Sequence, residues 1–262
     1  MRNIPDDNLA YSVFIKLENN NGSGFLLNAD NKLFLISAKH VFFNDRNTLR
    51  GNKAEIECQT KDISDATTEK LLIDFSLVEI LIHKESDIVA IQLANLKENE
   101  EENSYKVQYI KGVSQSRVGE TGIVCVNAKS TTKTIKNVLT GNDVYLYGYP
   151  TSLGLKELPQ FDVSKPLLRR GIVANIYESK GTIILDCPVF PGHSGGPVVE
   201  VESEGLQSFH KIIGVVIQFI PYFQEWENKS SGLVNVQLMN SGYSVAVSMD
   251  KVFEIIDFDL DK

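Results

Sequence analysis

The chain has 262 residues, 42% hydrophobic and 23% charged, with a formal net charge of -8 and a pI near 5.1. That length suits two small packed units or one larger all-β domain. The acidic balance argues against a nucleic-acid-binding role, which needs basic patches to neutralise phosphate, and no apolar stretch approaches the length of a membrane span.

The first thirteen residues, MRNIPDDNLAYSV, contain no continuous apolar core, so no secretory signal is expected and the cytoplasm is the expected location. Short alternating runs over 11–17, 24–28, 32–37, 54–60, 75–82 and 88–93 predict six strands, with NADNK at 28–32 as a hairpin turn. Cys58 falls in this cluster; with Cys125 and Cys187 it makes an odd, sparse set without ligand spacing. The three read as small buried hydrophobes, so neither a disulfide framework nor a metal or other cofactor is expected.

Two polar residues in this half stand at strand boundaries. The apolar run 33–36 ends at Ser37-Ala38, and His40 follows on what reads as a short helical turn. An imidazole fixed at the edge of a packed strand can act as a general base. Asp87 precedes the strand 88–93, a position from which a carboxylate can orient an imidazole and stabilise its charged form. Taken singly, each has a structural reading as a capped histidine or a turn aspartate. His83 lies before Asp87, His210 precedes an apolar run, and His193 points away from its neighbour Ser194 by alternation, so none serves as well as His40.

The block 97–103, KENEEEN, reads as a solvated surface segment opening a linker between two units. Residues 105–136 show little pattern beyond a possible strand at 122–127. A second set of strands follows over 144–149, 167–177, 182–187, 197–202, 211–219 and 243–248, and 249–258 reads as a short amphipathic helix. These readings divide the chain into 1–96, a linker or extension over 97–140, and 141–262.

PGHSGGPVV, 191–199, carries the most specific signal. A serine hydroxyl is a poor nucleophile without a base and a site for developing negative charge. Gly192 frees the backbone to turn its N–H inward beside that of Ser194, so two amides could hold an oxyanion. Gly195 and Gly196 leave room for a substrate chain, and Pro197 stiffens the following strand. The order His40, Asp87, Ser194, each at a strand boundary, is one of the known chain orders for triad geometry.

The chain resembles the chymotrypsin-fold, trypsin-like serine peptidases in their compact bacterial form without disulfides. The resemblance rests on GSGFLL (22–27), LISAKHVF (35–42), SDIVAIQL (86–93), VYLYGYP (144–150), LLRRGIVANI (167–176), DCPVFPGHSGGPVV (186–199), IIGVVIQF (212–219) and YSVAVSMDKVFEII (243–256). It implies two antiparallel six-stranded β-barrels with a short C-terminal helix. His40 is then the base, Asp87 the orienter and Ser194 the nucleophile, with the Gly192 and Ser194 amides as oxyanion hole. Ile217, Gln218 and Phe219 become the strand that pairs with a bound peptide, and Pro188, Ile217 and Phe219 the lining of an apolar pocket.

The chain departs from the family at His193, where secreted digestive members carry an acid that captures a new N-terminus. Activation by trimming is therefore not expected, and a regulatory protein partner could set the loop instead. The expected activity is serine endopeptidase on protein or peptide substrates. A catalytically idle protease fold used as a binding module and an esterase with the same triad are the alternatives; the β-rich pattern argues against an α/β-hydrolase.

Overall fold

Alternating apolar residues with turn chemistry between them make strands of most of the chain, in a computed structural model that describes residues 6–60, 68–99, 104–117, 122–150, 158–160, 162–205 and 207–260. Strands β1 (Ser12–Leu17), β2 (Asn21–Ala29) and β3 (Lys32–Ala38) form an antiparallel meander. The β2–β3 turn is Asp30-Asn31, with φ of 49° and 58°. Two left-handed residues of this kind match the twist of a two-residue hairpin. One helical turn, α1 (Lys39–Phe42), follows β3 directly. Next come β4 (Lys53–Cys58), β5 (Glu69–Asp74), β6 (Ile80–Ile82) and β7 (Ile88–Asn99), then β8 (Ser104–Tyr109), β9 (Val113–Arg117) and β10 (Val126–Asn127).

These ten strands make one sheet in the order β6-β7-β3-β2-β1-β4-β5-β9, with β8 on β7 and β10 on β2. The path does not close among the described residues, so the first unit departs from the six-stranded barrel expected. Segment 105–136, patternless as sequence, supplies the additional strands, and β10 runs parallel to β2, pairing Val126 with Leu27. The block 97–103 does not open a linker at its described end. Lys97, Glu98 and Asn99 continue β7 and pair with Lys106, Tyr105 and Ser104 of β8; residues 100–103 lie outside the described residues. The strand expected over 75–82 is interrupted as well. The Asp74 carboxylate accepts from the Ser76 amide and hydroxyl at 3.0 and 2.6 Å, which ends β5 in a turn before β6 begins.

The second set of strands does close. Strands β11 (Asp143–Gly148), β12 (Leu167–Tyr177), β13 (Thr182–Asp186), β14 (Pro197–Glu204), β15 (Gln207–Asn228) and β16 (Leu233–Ser248) form a barrel in the order β11-β12-β13-β16-β15-β14. It is filled by Val144, Leu146, Val173, Ile183, Leu185, Val198 and Ile213. The last helix, here α2 (Met249–Ile256), begins on Ser248 and ends at Asp257, which takes φ of 53°. Its buried Met249, Val252 and Phe253 join a core that also holds Phe25, Phe34 and Ile36 of the first sheet and Tyr147, Val199 and Val215 of the second. This shared core holds the two sheets face to face and brings the ends of β3, β7 and β14 to one cleft.

Strands β15 and β16 run on beyond the barrel as a two-stranded ribbon that pairs Pro221 with Asn240 and Asn228 with Leu233. Phe223, Trp226, Leu233 and Leu238 on this ribbon are exposed. Because the register puts Phe223 and Leu238 on one face and Trp226 and Leu233 on the other, no single apolar face marks it as sheet.

Candidate active site

His40 is held by the backbone before its side chain is considered. It lies in α1, two residues past the end of β3, and its amide donates to Asp87 Oδ1 at 2.9 Å. The Lys39 amide donates to the Asp87 carbonyl at 3.2 Å. The His40 ring then meets the same carboxylate, Nδ1 to Oδ2 at 2.5 Å. An ionised carboxylate only accepts, so Nδ1 carries the proton, and in the neutral ring Nε2 keeps its lone pair. Asp87 thus clamps His40 by main chain and side chain together, and its own position is set by β7, which starts at Ile88.

Ser194 sits in the tight loop between β13 and β14. The His193 amide donates to the Phe190 carbonyl, the Gly196 amide to the His193 carbonyl, each at 3.0 Å, and the Gly195 amide to the Val216 carbonyl at 2.7 Å. Gly192 takes φ of 103° and Gly195 φ of 89°, conformations that side chains rarely adopt. Neither the Gly192 amide nor the Ser194 amide donates to any described residue, so both remain available to an acceptor in the cleft. The Ser194 hydroxyl donates to the Ile217 carbonyl at 3.3 Å.

The loop is fastened to the first sheet by Ser23. Its hydroxyl donates to the Gly192 carbonyl at 2.6 Å and accepts from the Tyr149 amide at 3.0 Å, while its amide donates to the Ser194 carbonyl at 2.9 Å. The Ser37 hydroxyl donates to the Ser23 carbonyl at 2.7 Å. Sequence reasoning used Ser23 only as part of the GSGFLL stretch at 22–27; its contacts across 169 residues of chain leave no local signal.

His40, Gly192, Ser194, Ile217, Gln218 and Phe219 all line one cleft of ≈ 600 Å³. Pro188 does not line it, contrary to the sequence reading. Val189 and Phe190 do. The opposite wall is the β1–β2 turn from Leu17 to Asn21, pinned by the Asn20 amide group donating to the Val41 carbonyl at 2.8 Å. That wall went unread because a polar turn carries no mark of what it faces.

His193 turns away from the cleft and is buried, its Nδ1 3.0 Å from the Phe190 carbonyl. Burial lowers its pKa to about 4; the Phe190 backbone opposes this and the Arg169 charge adds to it. Cys58 and Cys187 are buried, with Cys125 partly so. Burial raises all three thiols, Cys125 and Cys187 to about 11. Among the described residues no group of three or more His, Cys, Asp or Glu is arranged to hold a metal ion.

Comparison with solved structures finds an HtrA-type protease, AlgW, bound to a tripeptide: 13% identical, TM-score 0.54, covering 98% of this chain and 63% of that one. Deg5 is 15% identical over 95% of this chain and 88% of its own, with a TM-score of 0.49. The present chain therefore spans under two thirds of the length of the AlgW chain, and the likeness to AlgW is one of fold, chymotrypsin-like and mostly β. No curated protein matches the chain. The model of the trypsin-like peptidase domain matches residues 22–205, from the strand that carries Ser23 through the Ser194 loop and β14, and the chain belongs to that family.

Proposed function

We propose that the protein is a serine endopeptidase in which His40 is the base, Asp87 its orienter and Ser194 the nucleophile. The observation that carries this reading is the 2.5 Å His40–Asp87 pair opening on the cleft that Ser194 also lines. His40 Nε2 takes the Ser194 proton as Oγ attacks a peptide carbonyl. The unengaged amides of Gly192 and Ser194 receive the oxyanion. His40 then gives its proton to the leaving amine, and water hydrolyses the acyl-enzyme by the same steps. A peptide paired along Ile217–Phe219 would set its side chain against Val189, Phe190 and Phe219, which favours aliphatic or aromatic residues.

One observation favours a second reading, an idle protease fold that binds peptides without cleaving them. The Ser194 hydroxyl donates to the Ile217 carbonyl rather than to His40, so it must redirect its proton before His40 can take it. Peptide turnover separates the two. Ser194→Ala and His40→Ala should each lower kcat by ~10⁴ to 10⁶-fold, with the double variant little worse than either. Unchanged turnover in either variant, or additive losses in the double, contradicts the endopeptidase reading.

A further inference from the structure

Asp87 can orient His40 only as well as its own turn is held, and that turn is built around a second histidine. Residues 83–88 reverse the chain between β6 and β7. The His83 amide donates to the Ile88 carbonyl at 3.0 Å, and the Ile88 amide to the Ser86 carbonyl at 2.8 Å. The amides of Glu85 and Ser86 point inward, and both donate to His83 Nδ1, at 3.1 and 2.9 Å. The His83 side chain is 7% exposed, so the acceptor itself is buried although Glu85 is exposed and Ser86 half-buried.

A ring nitrogen that accepts from two amides carries no proton, so the proton of His83 is on Nε2. It is donated to Glu254 Oε2 at 2.8 Å, and Lys251 holds the other oxygen of that carboxylate at 2.7 Å. Glu254 and Lys251 both lie on α2, the C-terminal helix. A carboxylate thus fixes the tautomer of His83, and His83 fixes the amides of the two residues before Asp87. The arrangement repeats, one layer out, the Asp87–His40 pair.

We propose that His83 is a positioning residue for the Asp87–His40 pair, held in its working tautomer by Glu254 of the C-terminal helix. The proposal rests on the reading of Asp87 and His40 given above. Its chemistry is that of a buried acceptor: remove Nδ1, and the Glu85 and Ser86 amides lose their partner beside the orienting carboxylate. A small displacement of a positioned group, about 1 Å, is enough to lower turnover by as much as ~10²-fold.

The test compares His83→Phe, which keeps the ring volume without an acceptor, with His83→Asn, whose side-chain oxygen can accept the same two amides. Two readouts are taken: kcat and KM on a peptide, and the proton resonance of His40 Nδ1–H in the resting protein. His83→Phe is expected to lower kcat about tenfold or more with KM within about twofold, and to shift or broaden the resonance. His83→Asn is expected to keep the resonance and most of kcat. An unchanged resonance in His83→Phe overturns the proposal, as does equal loss in both variants, which would show that restoring the acceptor makes no difference. Should His83→Phe fail to fold, Glu254→Leu carries the test, with a broadened resonance expected and an unchanged one overturning it. The resonance needs no turnover, so a protein without peptidase activity would refute the proposed function while still testing His83.

Discussion

The Ser23 amide donates to the Ser194 carbonyl at 2.9 Å, joining β2 of the first sheet to the loop between β13 and β14. The Ser23 hydroxyl reaches the Gly192 carbonyl two residues earlier. The nucleophile loop is therefore bracketed on both sides of His193 by one serine of the first sheet. Ser23→Ala keeps the amide bond but strands the buried Tyr149 amide and frees the Gly192 carbonyl to turn. Losing such partners costs about 1–3 kcal/mol, and misplacing the oxyanion amides lowers kcat by ~10 to 10²-fold. Urea unfolding and steady-state kinetics on the same preparation check both numbers.

Gly195 admits no substitute. A Cβ there would lie 2.0 Å from the Ser23 carbonyl oxygen and 2.1 Å from the Ser37 hydroxyl, at φ of 89°. The first obstacle is backbone, and the second is a buried hydroxyl held by its hydrogen bond to that same carbonyl. Gly195→Ala is expected to yield little folded protein, or a fold in which the two sheets no longer meet at this loop. Near-wild-type melting by circular dichroism would contradict the packing described.

His193 links stability to pH with a definite sign. Its folded pKa is lowered to about 4 from 6.5, so the unfolded chain takes up a proton first as pH falls. The contribution is intact above pH 6.5 and is lost as pH falls toward 4, on the order of 3 kcal/mol in all. Melting temperature should therefore fall more steeply between these values in wild type than in His193→Asn. Parallel curves would show that His193 is not buried neutral.

Among the described residues, the ribbon beyond the barrel pairs only with itself between Tyr222 and Met239. Replacing residues 222–239 by a two-residue turn keeps the Asn240 side chain donating to the Val189 carbonyl and the Ser241 hydroxyl donating to the Ile220 carbonyl. The shortened protein is expected to melt within a few degrees of wild type, because two-stranded ribbons add little stability on their own. It should also be more soluble, having lost the exposed Phe223, Trp226 and Leu233. Global unfolding of this variant would mean that the ribbon is part of the core.

What could be read from the sequence was what strand boundaries and turn chemistry encode. His40, Asp87 and Ser194 stand where apolar runs stop, and Asp30-Asn31 carries its turn type in its residues. The strands of the second barrel are legible for the same reason, since their inner faces alternate cleanly. Three things were hidden. Strands β8 and β9 are largely polar and pair at the sheet's margin, where burial imposes no period, and β10, two residues long, is too short to show one. The ribbon alternates apolar residues on both faces, which cancels the signal of either one. Ser23, His83 and the Leu17–Asn21 turn act through partners far along the chain, and only the fold brings those together.

The central claim is that Ser194 is a nucleophile activated by His40, and a fluorophosphonate probe followed by intact-mass and peptide-mapping spectrometry tests it most directly. The account predicts one stoichiometric adduct, located on Ser194, absent in Ser194→Ala and slower by at least ~10³-fold in His40→Ala. A folded wild-type protein that takes up no label, or one whose label forms equally fast without His40, would contradict it.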